Sequence, residues 1–432
     1  MNYPKYLLHR LMGVDIVKVF SLNAMATLVR MLTGMISIKV VAVIIGPVGI
    51  ALLGQLNNFN TILLGMANGG IGSGVTKYVA EYKDDDNYIK KLLSNAFRIT
   101  VVCSLIASLC IILGCVQISK WILMSEKYYY VFIVFGFTII LYTLNGLLIT
   151  ILNGYKHFKK YVKVNILGTV FGLIYSVALV TSFGLPGALI NAVTFQSVIF
   201  FITLYMCRKE HWLKWEYFRE KFDKAIARNY LGYSVMTLFA LAMLPVSQMI
   251  LRGYVISEIS TSDAGIWEGM NRISGTYLSV ITTAFSVYYL PRLSELTNNI
   301  ELRNEILKCY KFVIPMLLAI GATIFLLRDF IIWFLFTSEF YPMSRLFGWQ
   351  LAGDMFKMCS WLLSYLMVAK AMTKIFVVTE IAFNLSYLAL AFLLMKINGI
   401  VGLTQGYLIA YIIYLIVMII IFRNIIIVKK HA

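Results

Sequence analysis

Charge is scarce in this chain. Only 13% of its 432 residues are Asp, Glu, Lys or Arg, while 60% are hydrophobic. A soluble domain of this length exposes far more charge, so a water-soluble class is excluded. Catalytic signatures are lacking as well. There is no G-x-S-x-G, no H-E-x-x-H and no Walker loop. The four histidines, His9, His157, His211 and His431, fall in tails or loops between apolar runs. The six cysteines are Cys103, Cys110, Cys115, Cys207, Cys309 and Cys359, and none joins a close Cys-His ligand set. They read as small core residues with no disulfide or metal role, so neither a metal nor a cofactor is expected. No A-x-A cleavage site follows the first apolar run, which is too long for a signal-peptide core. The N-terminus therefore reads as a retained cytoplasmic tail.

What is present is a series of long apolar runs broken by short polar clusters. This is the pattern of a polytopic helical membrane protein. The net charge of +18 would suggest nucleic acid in a soluble protein. Here the basic residues gather in loops such as GYKHFKKYVK, as the positive-inside rule requires, and no aromatic and basic cluster resembles a nucleic-acid module. The pattern predicts about twelve spanning helices, with both termini cytoplasmic. Gly46-Pro47 turns the chain between the first two. The stretch GMANGGIGSG at Gly65–Gly74 allows close helix approach or local bending. Pro245 and Pro315 should bend their helices. Arg208–Arg228 carries Trp212, Trp215, Phe218 and Phe222 at helical spacing, which predicts a basic amphipathic helix on the inner membrane face. It is also the natural linker between residues 1–206 and 229–432.

Those two segments echo each other. GIALLGQLNN at Gly49–Asn58 resembles GIWEGMNRIS at Gly265–Ser274. WILMSEKYY at Trp121–Tyr129 resembles WFLFTSEFY at Trp333–Tyr341. KYVKVNI at Lys160–Ile166 resembles IFVVTEI at Ile375–Ile381, and FGLPGAL at Phe183–Leu189 resembles NGIVGLT at Asn398–Thr404. An even number of helices in each half gives both copies the same orientation. The expected architecture is therefore all-α: two six-helix lobes, related as a parallel repeat, around a central cavity that alternates in access.

Charged residues within apolar runs are expensive, and mark cavities or functional pairs. They are Arg30, Lys39, Arg252, Glu268, Arg272, Asp354, Lys357, Lys370 and Glu380. Lys39 and Arg252 occupy equivalent places in the repeat. Cationic walls on both lobes suit a ligand with concentrated negative charge such as a diphosphate; the alternative is snorkelling to headgroups or structural ion pairing. Glu268–Arg272 and Asp354–Lys357 can each pair within a helix. Either the pairs are static, or a carboxylate exchanges a proton for its cationic partner during transport. That makes Glu268, Asp354 and Glu380 coupling or gating candidates. Trp267, Tyr277, Tyr288 and Tyr289 could stack on sugar rings or simply pack.

Several stretches resemble the Wzx flippases of the multidrug/oligosaccharidyl-lipid/polysaccharide exporter (MOP) superfamily, with the lipid III flippases as the nearest pattern. They are GPVGIALLGQ at Gly46–Gln55, GVTKYVAEY at Gly74–Tyr82, AFSVYYLP at Ala284–Pro291, LLRDFIIWFL at Leu326–Leu335, WQLAGDMFK at Trp349–Lys357 and YLMVAKA at Tyr365–Ala371. The resemblance implies a MATE-like fold in the bacterial inner membrane. It implies translocation of an undecaprenyl-diphosphate-linked oligosaccharide to the periplasmic leaflet, with a polymerase and a chain-length regulator as partners. Glu268 and Arg272 depart from the lipid III pattern, which has uncharged polar residues there. An O-antigen repeat unit is therefore the first expectation for the sugar and enterobacterial common antigen the second. A cation-coupled multidrug exporter is the more distant alternative; it would favour an apolar or acidic cavity. A membrane polymerase or ligase would need larger outer loops.

Overall fold

The computed structural model describes residues 3–285, 289–296, 298–370 and 372–426, and those residues form helices and short connections with no strand among them. The helices are α1 (Tyr3–Ala67), α2 (Gly72–Tyr82), α3 (Asp86–Leu113), α4 (Cys115–Ile122), α5 (Tyr129–Gly154), α6 (Phe158–Cys207), α7 (Lys224–Glu258) and α8 (Thr261–Ala284). They continue with α9 (Leu290–Glu295), α10 (Asn299–Leu326), α11 (Arg328–Leu335), α12 (Phe347–Ala369), α13 (Thr373–Asn398), α14 (Ile400–Ile421) and α15 (Arg423–Ile426).

Among the described residues, eight stretches are long and apolar enough to cross a membrane. Two of them, Met25–Ala67 with 43 residues and Phe158–Cys207 with 50, exceed the roughly 20 residues of one span and supply two spans each. Gly46 (φ 60°) breaks the first and Gly184 (φ 60°) the second. Helices α8 and α12 have the length, 24 and 23 residues, but carry intramembrane charge. Counting them brings the spans to twelve, and the chain is a multi-pass membrane protein.

The repeat is visible in the elements themselves. Helices α3 and α10 both have 28 residues, and α4 and α11 both have 8. The doubled helix α6 matches the pair α13 and α14. The reason lies in a recurring Gly-x-x-Gly: GPVG at Gly46, GLPG at Gly184 and GIVG at Gly399. The first glycine takes the positive φ that reverses the chain, 60°, 60° and 56° respectively. The second lets the next helix close on the last one: a Cβ on Gly187 would strike the Leu179 carbonyl, and one on Gly402 the Leu394 carbonyl.

The chain divides into two compact units. Unit 1 holds residues 1–44 and 56–242 and is packed around Val75, Leu93, Ile151, Trp212 and Tyr230. Unit 2 holds residues 45–55 and 243–432 and is packed around Leu251, Trp267, Leu362, Tyr387 and Tyr411.

Two local expectations change. The second span, which run length alone carries from Ile50 to about Ala80, ends at Ala67, because Gly69 and Gly70 both take φ near 65° before α2 starts. The amphipathic helix expected over Arg208–Arg228 is replaced by 3-10 turns at His211–Leu213 and Trp215–Phe218, with α7 starting at Lys224. Tertiary contacts within unit 1 override the helical spacing there. Trp212 is fully buried and stacks on Tyr155, whereas Trp215 is 60% exposed. The carbonyl of Glu220 accepts from Ser94 Oγ (2.7 Å) and Arg98 Nη2 (2.7 Å), bonds a helix would have used internally. Tyr217 donates to Asp86, and burial together with that carboxylate pushes its phenol up to about 12.

Candidate functional site

Helix α8 organises the charged groups of unit 2. Ser260 caps it by accepting from the Asp263 amide (3.0 Å). Glu268 and Arg272 then fall one turn apart on one face, and Arg272 Nε donates to Glu268 Oε1 at 3.2 Å. The second oxygen of Glu268 accepts from Arg252 Nη2 of α7 at 2.5 Å. Arg252 is fully buried. Its Nη1 donates to Gln55 Oε1 (3.1 Å), and its guanidinium lies 5.3 Å from the Trp267 ring centre. Gln55 is held in turn by donating to the Met249 carbonyl (3.2 Å). Gly54 leaves room for the acid: a Cβ there would lie 2.7 Å from Glu268 Cδ. One carboxylate thus serves two guanidinium groups, and the cluster keeps a net positive charge.

The opposite side of α8 builds a second network. Asp354 of α12 is 1% exposed. It accepts from Ser274 Oγ (2.7 Å), Tyr277 Oη (2.5 Å) and Tyr407 Oη (2.8 Å), with Gln350 Nε2 at 3.4 Å. Lys357, one turn on, does not form the expected bond to Asp354. Hydroxyls fill that carboxylate, and Lys357 lies over the faces of Trp361 (4.9 Å) and Tyr411 (5.9 Å). Glu380 accepts from Tyr414 Oη (2.9 Å), and Lys370 at the end of α12 donates to the Leu296 carbonyl (2.5 Å).

Unit 1 holds the other two cations, both on α1. Lys39 is half-buried, while Arg30 borders a cavity of about 410 Å³. The cavity wall is polar for a membrane interior, with Ser37, Asn165, Thr169, Asn191 and Gln196 contributing.

The comparisons with known proteins agree with this build. Residues 56–345 match the sequence profile of a family described as "Polysaccharide biosynthesis protein". The chain belongs to the polysaccharide biosynthesis protein family. Within reach of the family are the proteins named "Lipid III flippase" of Escherichia coli (strain K12) and of Shigella flexneri. Each is 29% identical over 392 residues, covering 91% of this chain and 94% of the relative. Among solved structures, a multidrug resistance MATE family transporter of the MOP superfamily, in an inward-facing conformation, superposes with a TM-score of 0.75. It is 14% identical and covers 94% of this chain and 96% of its own. The lipid II flippase MurJ superposes at 0.69 and 15% identity, covering 93% and 87%. These likenesses give the family member a MOP-type fold.

Of the residues singled out by charge, the structure joins Arg252, Glu268 and Arg272 directly. It sets Asp354, Lys357 and Glu380 in the hydroxyl and aromatic surroundings of α12, α13 and α14. Two of the aromatics weighed between sugar stacking and packing are engaged within the protein: Trp267 lies under Arg252, and Tyr277 donates to Asp354. Tyr289 is buried in the unit 2 core, and Tyr288 lies outside the described residues. Charge alone does not flag Gln55, Ser274, Tyr407 or the amides of the unit 1 cavity. Their signal is weaker: neutral polar side chains in the middle of apolar runs.

Proposed function

We propose that the chain is a transporter, a flippase that carries lipid-linked oligosaccharides across the bacterial inner membrane. Its cargo is an undecaprenyl-diphosphate-linked repeat unit, moved from the cytoplasmic to the periplasmic leaflet. The observation that carries this reading is the match to lipid III flippases across almost the whole of both chains. The physical task fits. Sugar hydroxyls cannot enter hydrocarbon without losing water partners, and intramembrane charge and amides supply replacements. Two six-helix lobes, residues 1–206 and 229–432 joined by 207–228, alternate in access with both termini cytoplasmic.

Lys39, Arg272, Lys357 and Lys370 attract the diphosphate, and Arg30 binds the head group from the unit 1 cavity. Arg252, fully buried behind Glu268, is a positioning residue for that acid. Glu268, Asp354 and Glu380 are the groups whose protonation couples or gates the cycle. The O-antigen repeat unit remains the first reading for the sugar, since Glu268 and Arg272 add charge to α8. Lipid III of enterobacterial common antigen is the second, favoured by the names of the relatives. A polymerase and a chain-length regulator would take the product.

The test is transport of defined lipid-diphosphate oligosaccharides in proteoliposomes. Protein-dependent appearance of the head group in the opposite leaflet is expected, with Arg30→Ala lowering it at unchanged protein level. Imposed ion gradients then identify the coupling ion. Export of cationic drugs without any lipid movement would overturn the proposal.

A further inference from the structure

The two halves of the repeat differ where unit 1 is hollow. Gly184 and Gly399 open equivalent hairpins, 215 residues apart. Carried along the helices, that register sets Gly168, Gly172, Gln196 and Ile199 against Phe383, Tyr387, Tyr411 and Tyr414. In unit 2 these four rings fill the space. Phe383 lies 4.5 Å from Tyr411, 5.0 Å from Tyr414 and 6.2 Å from Tyr387 between ring centres. In unit 1 the four smaller residues border the cavity of about 410 Å³. The volume lies within the range of small-ligand sites, about 300–1,000 Å³. A Cβ on Gly168 would stand 3.3 Å from Ile199, and one on Gly172 3.4 Å from Phe195. An aromatic side chain at either position takes the cavity away.

The wall chemistry says what the space accepts. Asn165, Thr169, Asn191 and Gln196 offer amides and hydroxyls, and Phe195 offers an apolar ring. Gln196 is held in the wall by accepting from Asn145 Nδ2 at 2.5 Å. The Asn191 amide oxygen is buried without a partner. Unpaired acceptors inside a membrane span are costly, and a ligand hydroxyl relieves the cost. Among the described residues of the lining Arg30 is the one cation, and none is a carboxylate. Hydroxyl donors, an apolar face and a single negative charge together describe a sugar carrying one carboxylate. A diphosphate concentrates more charge than one guanidinium balances.

We infer that the unit 1 cavity is a subsite for an acidic sugar of the transported head group, with Arg30 pairing to its carboxylate. The inference rests on the flippase reading and deepens it. The full chain in nanodiscs is titrated with three undecaprenyl-diphosphates. One bears a single neutral sugar, one a neutral trisaccharide, and one a trisaccharide containing a uronate. Wild type binds the neutral trisaccharide more tightly than the single-sugar lipid, and the uronate form about tenfold more tightly again. Gly172→Tyr, which copies the unit 2 residue, brings both trisaccharides down to the level of the single-sugar lipid. If that variant does not fold, Gln196→Leu gives the same reading without added bulk. Arg30→Gln removes only the uronate preference. The subsite is refuted if wild type does not prefer the trisaccharides, or if the cavity variants keep the preference. Equal weakening of all three lipids by Arg30→Gln moves Arg30 to the diphosphate and overturns its assigned partner. Wild type binding none of the three lipids refutes the flippase reading itself.

Discussion

Removing the charge of Glu268 is the sharpest probe of the buried network in unit 2. Glu268→Gln keeps the shape of the side chain and deprives two guanidinium groups of their counter-charge. Arg272 retains 18% side-chain exposure and can rehydrate, whereas Arg252 has 0% and cannot. Breaking a buried ion pair from one side costs about 3–5 kcal/mol, because the remaining charge is uncompensated. The glutamine carbonyl still accepts one hydrogen bond, which restores about 1 kcal/mol. The net loss is therefore about 2–4 kcal/mol. Thermal unfolding in detergent, read with a thiol-reactive dye, measures it. With exposed Cys110 and half-buried Cys103, Cys115 and Cys309 replaced by serine, buried Cys207 and Cys359 label only when their units open. The double variant Arg252→Met/Glu268→Leu removes both charges and should recover most of the loss, since an apolar pair has no desolvation penalty. Two results would refute the reasoning: Glu268→Gln melting with wild type, or the double variant melting below the single one.

Gly54→Ala should push Glu268 away from Arg252, and so lose part of the same stability. Combined with Glu268→Gln it should be clearly non-additive in the same melting assay, and simple addition would disconnect the two sites. Gly399→Ala forces a side chain into positive φ at about 1–2 kcal/mol. Gly402→Ala also drives a methyl into the Leu394 carbonyl and should melt lower still; the reverse order would contradict the hairpin geometry. Tyr217→Phe removes one donor from Asp86, leaving Lys90 at 2.8 Å. Trypsin should then cut faster at Arg219 or Lys221 while the helices melt as before, and unchanged cleavage would show that this bond does not hold the segment.

Local rules carried much of the architecture. Twelve spans follow from run length, and the repeat from matched peptides. Glu268 and Arg272 meet because a helix brings every fourth residue back to the same face. The Gly-x-x-Gly hairpins are also readable, since only glycine takes the required φ without strain. Contacts between helices obey no such period. Arg252 finds Gln55 across 197 positions and Asp354 finds Tyr407 across 53, through helix rotations that no short window encodes. The same physics explains the misread stretches. Three hydroxyls from neighbouring helices displace Lys357 from Asp354, and a buried Trp212 outweighs the helical spacing of the 208–223 segment. Sequence fixes which groups must escape hydrocarbon; only packing decides which partner each one meets, because desolvation is relieved by whichever donor lies nearest in space.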